Sequence, residues 1–115
     1  MSPRWLSADS TPVRLSVPLA SDLDLSPALA LSHVAVHPAP SRALLARVLI
    51  LEGLIALESG AELPELPTES QRLSVSAPRW LDQWVYEIAC DRRASMASIA
   101  SRCVALGLST LNSTH

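Results

Sequence analysis

Hydrophobic and polar residues alternate along two short stretches of the chain. From residue 11 to residue 19 every second side chain is apolar, and residues 72–77 repeat this pattern. A period of two places alternate side chains on opposite faces of an extended chain, which is typical of a half-buried β-strand. The pattern therefore predicts two strands, each with one apolar face and one polar face.

Four other segments have apolar residues at helical spacing. The predicted helices cover residues 27–37, residues 41–58, a segment that begins at Pro78, and a segment from Ser95 to about Gly107. Ser26, Ser41 and Ser95 stand at helix starts, where a serine side chain can cap the first turn. The second helix is apolar nearly all round, so we expect it to pack centrally, against more than one neighbour.

The two halves of the chain resemble each other. Arg14-Leu15-Ser16-Val17 returns 58 positions later as Arg72-Leu73-Ser74-Val75, and the helix that opens at Ser41 returns 54 positions later at Ser95. The helical blocks also match at Gly53-Leu54 and Gly107-Leu108. One insertion of four residues in a loop reconciles the two offsets, and loops tolerate such insertions. An internal repeat is therefore predicted.

The repeat divides the chain into five segments. These are a flexible arm (1–10), a first repeat (11–60), a Pro- and Glu-containing linker (61–70), a second repeat (71–110) and a tail (111–115). A chain of 115 residues with 49% hydrophobic residues can bury one modest core. We therefore predict one small domain built from two copies of a unit.

A short strand followed by two helices, the second beginning at a serine, resembles the ribbon-helix-helix family of repressors. The resemblance covers roughly residues 11–58 and 70–108. It implies a mainly α fold with a short two-stranded antiparallel β-ribbon, ordered β-α-α-β-α-α as a single-chain pseudodimer. Pairing of the two strands is also expected physically, because a lone strand can neither satisfy its backbone groups nor bury its apolar face.

The resemblance further implies sequence-specific binding of double-stranded DNA by a transcriptional regulator whose ribbon enters the major groove. The residues predicted to contact bases are Arg14, Ser16, Arg72, Ser74 and Ser76. An arginine can donate two hydrogen bonds to guanine, and a serine makes less discriminating bonds. The alternative for these residues is an ordinary solvated face of the sheet.

Phosphate contacts are expected, by the same resemblance, at the amino ends of the second helices. The residues at these ends are Ser41, Arg42, Ser95 and Met96. Backbone N–H groups and the helix dipole favour an anion at such an end. Serine also caps a helix when no ligand is present, so capping alone remains an alternative.

The charge of the chain is the main argument against DNA binding. The formal net charge is −2, whereas DNA-binding proteins usually present a basic face. The first copy is net acidic and has Pro18 at an outward strand position, whereas the second copy is net basic. We therefore expect either an asymmetric ribbon whose second copy makes the stronger contacts, or a first copy that has only a structural role. An asymmetric ribbon would recognise non-palindromic half-sites.

A protein-interaction module without DNA binding is the alternative function, as in an antitoxin, an inhibitor or a scaffold. Residues 27–37 contain more apolar side chains than one face of a short helix can bury. That helix could bind a protein partner or join two pseudodimers.

The sequence predicts no enzyme, no metal site and no cofactor. It contains no Gly-rich phosphate loop, nucleophile elbow or paired catalytic carboxylates. His33 and His37 lie four residues apart, but no third metal ligand lies nearby in the sequence. Cys90 and Cys103 are predicted to be reduced core thiols. The sequence has neither a secretory signal nor a membrane-length apolar stretch, so a cytoplasmic protein is expected.

Overall fold

A computed structural model describes residues 11–20, 23–31, 41–65 and 71–113. In chain order its elements are β1 (Pro12–Leu19), a 3₁₀-helix (Ser26–Ala30), α1 (Arg42–Glu58), β2 (Gln71–Pro78), α2 (Arg79–Arg92) and α3 (Met96–Ser113). Both strands and these three α-helices begin within a residue or two of the predicted positions. α3 continues past the predicted end near Gly107, because Leu111 in its last turn is buried.

The two strands form an antiparallel ribbon, so their predicted pairing is confirmed. Ser16 pairs directly with Ser74, the residue that is its counterpart in the repeat. The buried side chains on the inner face of the ribbon are those of Leu15, Val17, Leu19, Val75 and Ala77. Because side chains alternate along each strand, the polar residues that lie between these buried residues in the sequence point outward.

α1 and α3 form the main helix pair of the core, and the ribbon packs on both of them. The largest fully buried side chains are Trp84, Leu49, Ile50, Leu54, Leu81 and Ile99. α1 contacts α3, β2 and the 3₁₀-helix, which agrees with the central position expected for a helix that is apolar nearly all round.

Two glycines mark the crossing of α1 and α3. A Cβ atom at Gly53 would overlap the carbonyl oxygen of Cys103, and one at Gly107 would overlap the carbonyl oxygen of Leu49. These two contacts are related by the same offset of 54 residues that relates the helices in the sequence. The repeat therefore has a structural counterpart in the strands and in the second helix of each copy.

The predicted fold class, a β-α-α-β-α-α pseudodimer, is wrong. The structure has the order β-3₁₀-α-β-α-α, with three α-helices in the described part of the chain. The helix expected at residues 27–37 is instead a 3₁₀-helix that ends at Ala30, after which Leu31 is extended. The rest of that predicted helix, from residue 32 onward, lies outside the described residues. The predicted docking helix is thus not an α-helix in its described part, residues 27–31.

The periodicity of the apolar residues explains this difference. Leu25 and Ala28 are buried and Leu31 is half-buried, so the core-facing positions recur every third residue, as in a 3₁₀-helix. Leu29, which lies between these core-facing positions, is 46% exposed and therefore adds no further buried position to the helix. Ahead of the helix, the Asp24 carboxylate accepts a 2.9 Å hydrogen bond from the Ser26 backbone N–H, which forms a tight local turn.

In the second copy the first helix is a regular α-helix with a single apolar stripe. Leu81, Trp84, Val85 and Ala89 are buried on one face of α2. The helix ends where Arg93 adopts the left-handed conformation, with φ 54°. No single helix among the described residues is long and apolar enough to cross a membrane. α2 and α3 pass that test only as a pair, bent by 105° between them.

Candidate nucleic-acid interface

The outer face of the ribbon has exposed polar side chains and contains no acidic residue. All the residues predicted to contact bases lie on this face and are exposed: Arg14, Ser16, Arg72, Ser74 and Ser76. Pro18, which alternation also directs outward, is buried opposite Arg72. The two ends of the outer face therefore differ, since Ser76 stands opposite Arg14 at the other end.

The two arginines are held across the ribbon by matching hydrogen bonds. Arg14 Nη1 donates to Ser74 Oγ at 3.3 Å, and Arg72 Nη1 donates to Ser16 Oγ at 3.1 Å. The two bonds run along parallel diagonals of the ribbon and reach the central serine pair from opposite sides. A guanidinium group has five N–H donors, so each arginine keeps donors for a further partner.

The register sets the spacing of the two arginines along the ribbon. Arg14 lies level with Ser76 and Arg72 lies level with Pro18, four strand residues away. At ~3.4 Å per residue this separation is about 14 Å. This separation is between the backbones of the two arginines. Because both guanidinium groups donate to the central Ser16–Ser74 pair, these groups lie closer together, within roughly four base-pair steps of ~3.4 Å.

The amino ends of α1 and α3 are capped alike. Ser41 Oγ accepts a 3.1 Å hydrogen bond from the Leu44 N–H, and Ser95 Oγ accepts a 3.0 Å bond from the Ser98 N–H. The capping predicted for Ser41 and Ser95 is therefore confirmed. The capping predicted for Ser26 is wrong, because Ser26 lies inside the 3₁₀-helix, whose N-cap position is Leu25 and has no side-chain capping bond. The first N–H groups of any α-helix have no partner within the helix, so both ends retain donors for an anion.

Arg42 and Met96 have structural contacts that the sequence did not indicate. Arg42 donates to the carbonyl oxygens of Leu23, at 3.0 Å, and Ala20, at 3.2 Å, and so holds the segment after β1 against α1. Arg42 and Arg72 also line one small cleft of about 110 Å³. The half-buried Met96 side chain packs against the core, so an anion at this end of α3 would meet backbone N–H groups. Phosphate contact at both ends stays a prediction.

The two cysteines differ in environment. Cys103 is buried in α3, as predicted, and burial raises the pKa of its thiol to about 12. Cys90 is exposed on α2, so its prediction as a core thiol is wrong. Cys90 lies toward the end of α2, beyond the buried Ala89. A hydrogen bond with Cys90 raises the pKa of the neighbouring Tyr86.

Arg47 is a residue to which the sequence reasoning gave no role. It is half-buried in α1 and lines a cleft of about 390 Å³ that also involves Ser76 of the ribbon. The signal was present in the sequence, because Arg47 is the one charged residue between Ala43 and Leu51. The cleft itself was not foreseeable, since its walls come from separate elements.

Metal-binding side chains do not cluster in the described part of the chain, where no three of His, Cys, Asp or Glu lie together. His33 and His37 lie outside the described residues. Comparison with protein-family models, curated proteins and solved structures returned no match to this chain. The resemblance to ribbon-helix-helix repressors therefore rests on the sequence pattern alone and stays a prediction.

Proposed function

We propose that the protein binds double-stranded DNA with the outer face of its β1–β2 ribbon and acts as a transcriptional regulator. The observation that carries this proposal is the placement of Arg14 and Arg72 on either side of the paired Ser16 and Ser74. The major groove is ~12 Å wide and admits a two-stranded ribbon. The predicted cytoplasmic location belongs to the same proposal.

The net charge of −2 does not by itself oppose this function, because the strands of the ribbon contain no acidic residue. Neither β1 nor β2 contains an Asp or a Glu, whereas Glu58, Glu62 and Glu65 are exposed at and beyond the end of α1. A surface that binds DNA needs a local excess of positive charge, not a basic protein overall. With few arginines involved, we expect weak non-specific binding and a strong contribution from base contacts.

Selection from a randomised duplex library, at a low and a physiological salt concentration, tests the proposal. We expect the wild-type protein to enrich a motif with two guanines no more than about four base pairs apart, because the guanidinium groups lie closer together than the ~14 Å between the arginine backbones. The Arg14→Ala/Arg72→Ala double variant should lose this motif. Failure of the wild type to enrich any motif at either salt concentration would contradict the proposal.

A matched control removes the same charge from a different surface. The Arg92→Ala/Arg93→Gly variant lowers the net charge equally at the end of α2, and glycine suits the left-handed conformation of residue 93. This variant should retain the motif even if its affinity falls, because phosphate contacts position a protein and base contacts specify the sequence. Loss of the motif in the control would show that total charge, not readout by the ribbon, produced the selection.

The second candidate is a protein-interaction module, and the exposed apolar side chain of Leu29 favours it. Leu29 lies in the 3₁₀-helix, is 46% exposed, and belongs to the segment 27–37 that was predicted to bind a partner. If this residue joins two copies of the chain, sedimentation should show dimers that Leu29→Asp abolishes. Monomers at all concentrations, in the wild type and the variant alike, would exclude self-association through Leu29.

A further inference from the structure

The cleft beside Arg47 has the size and the walls of a small-molecule site. Its volume of about 390 Å³ lies within the usual range for such sites, ~300–1,000 Å³. It opens between the ends of the two strands, α1 and the first turn of α2. Residues that line it include Pro12, Arg47, Val48, Leu51, Ser76 and Trp80. The walls are therefore mainly apolar, with one aromatic ring and one positive charge.

Among the described residues, Arg47 has no acidic neighbour in this cleft. The residues one helical turn away on α1 are Ala43, Leu44, Ile50 and Leu51, and none of the cleft residues from β2 and α2 is acidic. Within the described ranges the structure gives the Arg47 guanidinium no hydrogen bond or ion pair. A cation that is partly withdrawn from water is stabilised by an anion that accepts its hydrogen bonds.

The remaining walls specify the body of the ligand. Trp80 is half-buried and supplies an aromatic surface, while Val48 and Leu51 supply aliphatic contacts from α1. An aromatic ring can stack against an indole and bury its other side against such aliphatic groups. We propose that the cleft binds a small aromatic carboxylate, whose ring packs between Trp80 and Leu51 and whose carboxylate accepts hydrogen bonds from Arg47.

Two probes of equal shape test the proposal on the full-length chain. Naphthalene-2-carboxylate has the proposed charge, and naphthalene-2-carboxamide has the same ring without it. Titrations are followed by the ¹⁵N–¹H indole resonance of Trp80, which Trp80→Phe assigns. The wild type should bind the carboxylate at least about tenfold more tightly than the amide, since hydrogen bonds to a charged group stabilise by more than ~1.4 kcal/mol.

Variants separate the role of Arg47 from general charge. In Arg47→Gln the preference for the carboxylate should fall to less than about twofold, while Arg92→Gln, which is exposed at the end of α2, should keep it. An unchanged resonance of the buried Trp84 indole confirms that Arg47→Gln is folded. Glutamine suits a helix nearly as well as arginine does, so the fold should be retained.

Three results would overturn the proposal: equal binding of the two probes, the same preference in Arg47→Gln, or no shift of the Trp80 resonance up to the solubility limit of the carboxylate. The titration contains no DNA. A negative result here would therefore leave the proposed DNA binding untouched, and failure of the DNA selection would leave this site untouched.

Discussion

In the Gly53→Ala variant, helix propensity should raise the free energy of unfolding and packing should lower it. The sign of the measured change therefore shows which of the two effects is larger. Gly53 lies inside α1, where alanine is intrinsically favoured over glycine by ~1 kcal/mol. At the crossing with α3, however, the new Cβ would overlap the carbonyl oxygen of Cys103 and lie 2.8 Å from its carbonyl carbon. These are backbone atoms of a helix, so they cannot move aside by rotating a side chain.

The packing cost should exceed the propensity gain. Relief of the overlap requires α1 and α3 to move apart, and a gap of ~0.5–1 Å forfeits a quarter to a half of the dispersion energy of each contact affected. Overpacking a core costs about 1–3 kcal/mol and occasionally more. Because α1 and α3 are the main helix pair, we expect the upper end of this range and a net loss of about 2 kcal/mol from the free energy of unfolding.

Urea unfolding followed by circular dichroism measures this loss. Gly107→Ala should behave similarly, since its Cβ would lie 3.2 Å from the carbonyl carbon of Leu49 and closer still to the oxygen. The double variant should lose less than the sum of the two single losses, because helices already forced apart by one methyl group accommodate the other. A rise of about 1 kcal/mol in Gly53→Ala, as propensity alone predicts, would refute a close crossing.

Gly60→Ala is the matched control for these substitutions. No atom lies within 4 Å of a Cβ at Gly60, but its φ is +105°, which disfavours any side chain. We therefore expect a loss of stability that comes from backbone strain and is additive with that of Gly53→Ala. If the effects of Gly60→Ala and Gly53→Ala were not additive, the non-additivity of Gly53→Ala and Gly107→Ala could not be assigned to the contact between α1 and α3.

Two further predictions concern the helix caps and the buried thiol. Ser41→Ala and Ser95→Ala should each lower the free energy of unfolding by ~1 kcal/mol in urea, whereas Ser95→Asp should keep the cap and weaken DNA binding by repelling phosphate. Unchanged stability in both alanine variants would contradict the capping bonds. Because the folded chain holds the Cys103 thiol at a pKa of about 12 and the unfolded chain at about 9, unfolding releases this proton between those values. Stability should therefore fall as the pH rises from ~9 towards ~12, and Cys103→Ala should remove that part of the fall in urea titrations; an identical pH dependence in the variant would contradict a buried thiol.

The parts of the fold that were predictable are those that short-range patterns encode. Alternation along residues 11–19 and 71–78 depends only on the period of a strand, and the capping by Ser41 and Ser95 involves residues three apart. The 3₁₀-helix at Ser26–Ala30, where the sequence predicted an α-helix, could not be predicted in this way. Its apolar residues fit more than one helical spacing, and which of them become buried depends on the contacts of this segment with α1 and α3.

The candidate sites show the same division. Arg14 and Arg72 were identified from the repeat and do lie together on one exposed face, because strand alternation determines on which side a residue points. Arg42 also stood out as a cation at a helix start, but its hydrogen bonds to the carbonyls of Ala20 and Leu23 join residues about twenty positions apart. Such a bond has no signature in the local sequence.

The sequence by itself determined the two strands, the caps of α1 and α3, and the polar outer face of the ribbon. These features depend on backbone geometry within a few residues. The tertiary structure alone decided the pairing register of Ser16 with Ser74, the crossing at Gly53 and Gly107, and the cleft beside Arg47. Each of these depends on which distant segments meet, and close packing selects one arrangement of the whole chain, which no local pattern contains.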